Sequence, residues 1–263
     1  VWKAVNQLRK SGYEIEAISN KGYRLVSIPD ILNQHELLSR RKTKWIGADT
    51  LCYETIDSTN AQAKRLAEEG YGNGTLIVAN HQEAGRGRRG RSWESPADTT
   101  ISMTLLLKPD INPNNASMIT LVAALAVAKA ITKLTGVPAG IKWPNDIVMN
   151  GKKVCGILTE MSAQFDYVNH IVVGIGINVS TESFPEELRD IATSLRLETG
   201  KLISRAELIE AVWEYFEEDY EIYLQTQDLQ NLVKDYNARL VNMHQRVKVL
   251  DPKEPFEGNA RGI

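Results

Sequence analysis

The most apolar stretch of the chain, Met118–Leu134, is hydrophobic on nearly every helical face. This pattern predicts a helix buried in the middle of a fold, and a glycine and a proline follow it as stop signals. The stretch approaches the length of a membrane span, but Thr120, Lys129 and Lys133 interrupt it. These residues favour a core helix over a membrane span.

Shorter apolar runs on both sides of this helix predict a mixture of strands and helices. Alternating or continuous apolar runs predict strands at 51–56, 75–79, 101–107 and 167–173. One helix is predicted at 61–69, where Ser58 or Thr59 is a natural N-cap. Another follows Ser204, which begins a capping box. Together these elements predict an α+β fold with a central mixed sheet.

The first 27 residues predict a helix followed by a hairpin with basic residues at its tip. Apolar residues at 1, 2, 5 and 8 follow a helical spacing, and the runs 13–18 and 23–26 alternate like strands around a turn at 20–22. A helix followed by such a hairpin is typical of the end of a winged helix-turn-helix domain. A small packing appendage is the alternative. The helices that normally precede this motif are missing, so we expect a partial domain.

The C-terminal residues predict the beginning of a second small domain. Residues 246–250 form a strand pattern, 251–255 a turn, and 256–263 the start of another strand. Two strands alone are marginally stable. We therefore expect an incomplete β-domain here.

Composition narrows the compartment and the class of partner. A net charge of −2 over 263 residues argues against a whole-protein affinity for nucleic acid or membrane. The two cysteines are far apart, which favours a reducing cytoplasm, and the four histidines form no cluster with metal-ligand spacing.

The segment 85–93, here called the arginine loop, contains three glycines and four arginines. Its spacing fits the dinucleotide motif G-x-G-x-x-G, and nearly fits a phosphate loop with Arg91 in place of lysine. Both motifs require a helix immediately afterwards, because the helix N-terminus binds the phosphate. Pro96 and the polar residues around it predict no such helix. The sequence therefore predicts a cationic, glycine-rich loop that closes over an anion.

A second candidate segment is a hairpin centred on Asn150–Gly151, the strongest short turn signal in a sequence. A two-residue turn pairs Met149 with Lys152 and Val148 with Lys153. Asp146 then lies opposite Cys155, on the same face as Lys153. The alternative is a solubilising lysine pair at an exposed turn, and a one-residue slip in register would separate Asp146 from Lys153.

These two segments, Gly85–Trp93 and Lys142-Trp143-Pro144-Asn145-Asp146, resemble the biotin protein ligases. The segments 57–60, 151–158 and 174–178 support the resemblance, which covers essentially the whole chain. The N-terminal helix and hairpin resemble those of the bifunctional members that also repress the biotin operon. The resemblance implies a partial winged helix-turn-helix at 1–27, a linker at 28–48, a catalytic domain related to class II aminoacyl-tRNA synthetases at 49–240, and an incomplete SH3-like domain at 241–263.

The family resemblance also implies an activity and a set of site residues. Biotin and ATP give biotinyl-5′-AMP and pyrophosphate, and biotin then passes to a lysine of a carrier protein. The implied catalytic residues are Lys153, Arg88 and Arg86. The implied biotin-binding residues are Ser58, Thr59, Asn60, Gln82, Gly85, Arg86, Gly87, Arg88, Lys153 and Gly156. The implied nucleotide-binding residues are Arg88, Arg91, Trp93, Lys142, Asn145 and Asn178. Asp146 either orients Lys153 or binds Mg²⁺, and the implied DNA-binding residues are Trp2, Lys3, Asn6, Lys21 and Arg24.

The implied partners follow from the same resemblance. They are the biotin carboxyl carrier protein of acetyl-CoA carboxylase and of other biotin-dependent carboxylases, operator DNA, and a second copy of the chain when biotinyl-5′-AMP is bound. No membrane partner is expected. Two alternatives remain at this stage. A lipoate ligase is disfavoured because its Arg-Arg-x-x-Gly-Gly-Gly motif is not found, and a pure DNA-binding regulator requires an intact helix-turn-helix.

Overall fold

The computed structural model describes residues 1–10, 12–249 and 254–263, which form two compact units, Val1–Ile31 and Leu32–Ile263. The first unit contains helix α1 (Trp2–Lys10) and the antiparallel strands β1 (Glu14–Ile18) and β2 (Gly22–Ser27). The predicted helix and hairpin are thus confirmed. Val5 is the buried residue of α1, and both strands are largely exposed.

The second unit is built on a seven-stranded sheet. Its strands are β3 (Thr50–Ile56), β4 (Leu76–Gln82), β5 (Thr100–Leu107), β6 (Gly140–Lys142), β7 (Asp146–Met149), β8 (Lys152–Ala163) and β9 (Val168–Asn178). The spatial order is β3-β4-β5-β9-β8-β7-β6. Only the β3–β4 pair is parallel, and the remaining neighbours are antiparallel. This confirms the predicted α+β fold with a mixed sheet.

Helices cover both faces of this sheet. They are α2 (Gln34–Arg40), α3 (Thr59–Glu68), α4 (Ile119–Thr135), α5 (Leu195–Thr199), α6 (Arg205–Thr226) and α7 (Val233–Asn237). Helices α4 and α6 pack together over one face, where they form the main core. Helix α3 covers part of the other face, above Ile77, Leu106 and Val172. Ser58 caps α3 by accepting a hydrogen bond from Ala61, as predicted.

Apart from its N-cap Met118, the apolar stretch Met118–Leu134 lies in the core helix α4, as predicted. By length and composition Pro113–Thr135 could cross a membrane, but 61% of its most apolar window is buried inside the fold. Its buried face is rich in alanine, which lets α6 pack closely against α4.

The last strands are β10 (Arg246–Val249) and β11 (Phe256–Asn259), which pair antiparallel. The structure therefore describes the predicted strand 246–250 as far as Val249. Leu250 and most of the predicted turn, residues 251–253, lie outside the described residues.

Candidate functional site

The sheet face that packs against α3 changes from apolar to small and polar side chains beyond the N-terminus of that helix. Leu106 and Val172 pair across β5 and β9 beneath α3. The next pairs on the same face are Thr104 with Gly174 and Ser102 with Gly176. Because alternate residues of a strand point to the same side, an apolar surface gives way to small and polar residues at this point. The result is a depression in the sheet surface at the start of α3.

The arginine loop folds back on itself beside this depression. Gly87 donates its N–H to Arg91 (2.7 Å), and Trp93 donates to Gly85 (2.9 Å). A 3₁₀ turn at Arg88–Gly90 forms the tip, where Arg89 and Gly90 have φ values of 58° and 73°. No helix follows, since the next regular element of this described segment is β5. This confirms the prediction that neither phosphate-loop motif applies.

Trp93, at the end of the arginine loop, lies on the glycine-lined floor of the depression. A β-carbon added to Gly176 would come within 2.6 Å of Trp93 Cζ2 and Nε1, and one added to Gly156 within 3.3 Å of Cζ3. The indole therefore needs glycine at position 176 to occupy this place, and it packs tightly against Gly156. Its Nε1 is buried and has no hydrogen-bond partner among the residues that the structure describes.

The Asn150–Gly151 hairpin forms the facing wall. Asn150 and Gly151 have φ values of 48° and 81°, as a type I′ turn requires. Met149 pairs with Lys152 and Val148 with Lys153, as predicted.

One part of the predicted register is wrong, because β8 contains a bulge next to Lys153. Asp146 lies opposite Gly156 rather than Cys155. The cause is tertiary: the Lys153 N–H donates to the Ile191 carbonyl and its C=O accepts from Thr193, so residues 191–193 hold β8 at the bulge while Lys153 stays opposite Val148. Lys153 and Asp146 still meet, with Nζ and Oδ1 2.7 Å apart.

The Lys153 ammonium group is held between an acid and an aromatic ring. Besides Asp146, the Trp93 ring lies 5.7 Å from Nζ, within the range of a cation–π contact. About a third of the Lys153 side chain is exposed. The charge is therefore oriented but still accessible to a ligand.

Arg88 is hydrogen-bonded to Asn145 across the same opening. Its Nη1 donates to Asn145 Oδ1 (2.8 Å), while Asn145 Nδ2 donates to the Ile157 carbonyl (3.0 Å). Asn145 thus fixes one guanidinium nitrogen of Arg88 against the sheet.

A polar network lines the inner end of the depression. Gln82 Oε1 accepts from both the N–H and the hydroxyl of Thr59 (2.8 and 3.0 Å), and Gln82 Nε2 donates to Ser102. Thr104 lies 2.8 Å from the Thr59 hydroxyl and 2.7 Å from Asn60 Oδ1.

Most of the predicted site residues line two of the cavities beside the arginine loop. A narrow one of about 50 Å³ is lined by the predicted biotin residues Ser58, Thr59, Asn60, Gln82, Arg86, Gly87, Arg88, Lys153 and Gly156. A wider cleft of about 1060 Å³ is lined by the predicted nucleotide residues Arg88, Arg91, Trp93, Lys142 and Asn145. Lys153, Arg88 and Trp93 border both cavities.

A few predicted residues lie elsewhere. Gly85 lines neither cavity, but a β-carbon there would lie 3.1 Å from Gln82 Nε2. Asn178 is buried and donates to the Thr193 carbonyl (3.1 Å), so its amide already has a protein partner. The predicted DNA-binding residues Trp2, Lys3, Asn6, Lys21 and Arg24 belong to the first unit, where Arg24 pairs with Glu16 at 2.6 Å. Their proposed role stays a prediction.

Sequence reasoning missed several residues of the polar network. Ser102 and Thr104 are two of them, and a signal was present, since Thr100, Ser102 and Thr104 alternate within an otherwise apolar strand. Glu160 and Lys64 pair at 2.6 Å beside Asn60. They are 96 residues apart in sequence, and no local pattern connects them.

Metal ligands are sparse in this region. Within residues 1–10, 12–249 and 254–263, no group of three or more His, Cys, Asp or Glu side chains could hold an ion. Asp146 is the acid that lines the wide cleft. Mg²⁺ that arrives on nucleotide phosphates ordinarily needs only one or two protein carboxylates, so Asp146 fits a phosphate-borne ion.

The chain is similar to known proteins over most of its length. Residues 52–178 match the Biotin/lipoate A/B protein ligase family. The bifunctional ligase/repressor BirA of Bacillus spizizenii is 46% identical over 226 residues, which are 85% of this chain and 70% of that protein. The biotin–[acetyl-CoA-carboxylase] ligase of Paracoccus denitrificans is 40% identical over 59% of this chain and 65% of that protein. Among solved structures, the biotin protein ligase from Aquifex aeolicus in complex with biotin and ATP has a TM-score of 0.71 and 30% identity, covering 82% of this chain and 88% of that one.

Proposed function

The chain belongs to the biotin protein ligases of the Biotin/lipoate A/B protein ligase family, and on that premise we propose that it joins biotin to ATP and then to a carrier lysine. The observation that carries this proposal is the position of Lys153, on the shared wall of a narrow polar cavity and a wide cationic cleft. Biotin occupies the narrow cavity and ATP the wide one. Their reacting groups then meet at Lys153.

The first half-reaction joins two anions. A carboxylate oxygen of biotin attacks the α-phosphorus of ATP, an O–P bond forms, and pyrophosphate leaves with the electrons of the broken bond. Lys153 stabilises the negative charge that accumulates on the α-phosphate oxygens as the adenylyl group is transferred, an electrostatic role. Arg88 and Arg86 hold the two anions together against their repulsion, each contact contributing roughly 1.5–3 kcal/mol.

Asp146 has a positioning role in this scheme. Its contact with Lys153 keeps the ammonium group at the junction of the two cavities. Asp146 is also the residue that would hold Mg²⁺ carried by the phosphates. When bound, Mg²⁺ neutralises part of the phosphate charge.

The second half-reaction needs protection of the mixed anhydride. A carrier lysine with an ordinary pKa is only about 0.04% neutral at pH 7, so the intermediate must wait for a scarce free amine. Closure of the arginine loop over the intermediate excludes water during this time. Trp93 belongs to the same loop and covers the glycine floor.

The direct test is pyrophosphate release on incubation with biotin, ATP and Mg²⁺, run in parallel with lipoate. Release with biotin and none with lipoate supports the proposal. Release with lipoate alone assigns the chain to the lipoate branch of the family, and release with neither overturns adenylation.

A second function is favoured by the relatives in Bacillus that are named bifunctional ligase/repressor and match 85% of this chain at 44–46% identity. We propose that the protein also represses transcription, with a dimer favoured by bound biotinyl-5′-AMP. Trp2, Lys3, Asn6, Lys21 and Arg24 would contact operator DNA. A gel-shift with the full-length protein and its own promoter tests this, and binding that never improves with biotin and ATP contradicts it.

The proposed carrier is the biotin carboxyl carrier protein of acetyl-CoA carboxylase or of another biotin-dependent carboxylase. The Paracoccus relative is named for acetyl-CoA carboxylase. We place the reaction in the cytoplasm, where a reducing environment suits two unpaired cysteines.

A further inference from the structure

Glu160 ends a chain of hydrogen bonds that leads into the narrow cavity. Its Oε2 accepts from Asn60 Nδ2 (2.9 Å), and its Oε1 lies 2.6 Å from Lys64 Nζ. Asn60 Oδ1 contacts the Thr104 hydroxyl (2.7 Å), which contacts the Thr59 hydroxyl (2.8 Å). Thr59 and Asn60 line the cavity, whereas Glu160 lines a neighbouring cleft that shares Arg86, Gly87, Arg88, Ile157 and Leu158 with it.

The carboxylate of Glu160 is ionised at neutral pH. Burial alone would raise the pKa of Glu160, but hydrogen bonds from Lys64 and Asn60 and the positive charges of Lys64 and Arg86 lower it below its ordinary value. An ionised carboxylate only accepts hydrogen bonds. Together with the Leu158 carbonyl, which also only accepts, it therefore fixes which end of the Asn60 amide faces it.

The orientation of the Asn60 amide determines the direction of the hydrogen bonds that connect it to Thr104 and Thr59. Both Asn60 amide hydrogens are used, one by Glu160 and one by the Leu158 carbonyl (3.1 Å). Asn60 presents its oxygen to Thr104, so the single hydroxyl hydrogen of Thr104 is directed to Asn60. The hydroxyl hydrogen of Thr59 is then used by Thr104 or by Gln82 Oε1, which lies 3.0 Å away.

The outcome is that the Thr59 oxygen receives no hydrogen from any residue that the structure describes. Its lone pairs are left for a donor inside the cavity. If the Asn60 amide turned over, Thr104 would donate to Thr59 and occupy one of those lone pairs. Gly174 permits the observed amide position, because a β-carbon there would lie 3.0 Å from Asn60 Nδ2 and closer still to its oxygen.

We propose that Glu160, paired with Lys64, is a positioning residue that makes the Thr59 hydroxyl an acceptor and so selects ligands that present an N–H, such as a cyclic urea. This inference rests on the proposed function, since it assigns the ureido ring of biotin to the narrow cavity. Glu160 does not touch the ligand and acts through Asn60 and Thr104.

The test uses Glu160→Leu and Glu160→Gln in the intact chain, with biotin-dependent pyrophosphate release as the assay. We expect the KM for biotin to rise about tenfold in Glu160→Leu, the effect of one lost hydrogen bond. The kcat and the KM for ATP stay within about twofold. The KM for biotin of Glu160→Gln should lie between those of the wild type and Glu160→Leu. Its amide oxygen still accepts from Asn60, although the side chain no longer forms an ion pair with Lys64.

A matched control is Glu214→Gln on α6. Glu214 has the same side-chain exposure as Glu160, 29% against 30%, and also lies near a lysine, but it borders neither cavity. Its KM for biotin should not change.

The second measurement compares biotin with an analogue methylated at the ureido nitrogens, as the ratio of kcat/KM values. The wild type should prefer biotin strongly, and both Glu160 variants should prefer it less. An unchanged ratio in both Glu160 variants would overturn the positioning role, even if the leucine variant folds poorly. Equal falls in kcat and in the affinities for biotin and ATP would overturn it as well. A wild type that releases no pyrophosphate with biotin would instead contradict the proposed function.

Discussion

Gly156 leaves open the space that the Lys153 side chain occupies. A β-carbon at position 156 would lie 3.0 Å from both Cε and Nζ of Lys153. Because the bulge in β8 brings Gly156 opposite Asp146, this glycine lies directly beneath the Lys153–Asp146 contact.

Gly156→Ala should therefore displace Lys153 without unfolding the sheet. We expect kcat for adenylate formation to fall by about tenfold or more, since a misplaced charge stabilises the transition state poorly. Gly258→Ala is a suitable control, because it adds the same methyl group to a strand where no atom of the described residues lies within 4 Å. Equal activities of the two variants would contradict the positional role of Gly156.

Gly176→Ala tests whether the position of the Trp93 indole matters for the reaction. The new methyl group would overlap the indole, which must then leave the floor of the depression. We expect a higher KM for ATP and faster loss of biotinyl-5′-AMP, with a melting temperature close to that of the wild type. Normal retention of biotinyl-5′-AMP would show that Trp93 does not help to shield the intermediate from water.

Gly90→Pro tests the arginine loop as a lid. Gly90 has a φ of 73°, whereas proline requires about −65°, so the tip of the loop cannot keep its shape. We expect adenylate to form and then escape into solution, which a trapping assay with hydroxylamine detects. Gly70→Pro, at another positive-φ glycine with open space, makes the same backbone demand outside the loop and should retain the intermediate.

Glu217→Gln tests stability away from the site. The buried Glu217 carboxylate accepts backbone N–H bonds from Lys44, Trp45 and Ile46 at 2.7–3.1 Å. An amide can accept at only one end, so the variant should lose about 1–3 kcal/mol, or several degrees in melting temperature.

Glu221→Gln is the control for that prediction. Glu221 lies one turn further along α6 and makes an exposed ion pair with Lys44, which contributes less than about 1 kcal/mol. Equal losses in the two variants would mean that the three backbone bonds to Glu217 are not the source of the stability.

The parts of the site that sequence predicts are those set by local geometry. The Asn150–Gly151 turn requires positive φ at two successive residues, and few sequences supply them. The absence of a helix after the arginine loop follows equally from Pro96 and its neighbours.

The bulge beside Lys153 could not be predicted in the same way. It depends on residues 191–193, which pair with the Lys153 backbone across 38 or more positions of sequence. The Glu160–Asn60–Thr104 chain likewise exists only once β5, β8 and α3 are assembled. Local sequence therefore predicts the turns, while tertiary contacts determine where their side chains meet.

The two adjacent lysines of the hairpin allow the most direct test of the role assigned to Lys153. Lys153 contacts Asp146 at the junction of the cavities, whereas Lys152 donates to the Arg189 carbonyl on the surface. Single-turnover formation of biotinyl-5′-AMP should be measured for Lys153→Gln and Lys152→Gln. We predict a loss of about 100-fold or more for Lys153→Gln and a change within about threefold for Lys152→Gln. Equal rates in the two variants, or a larger loss at Lys152, would contradict the assignment of Lys153 as the charge that stabilises adenylate formation.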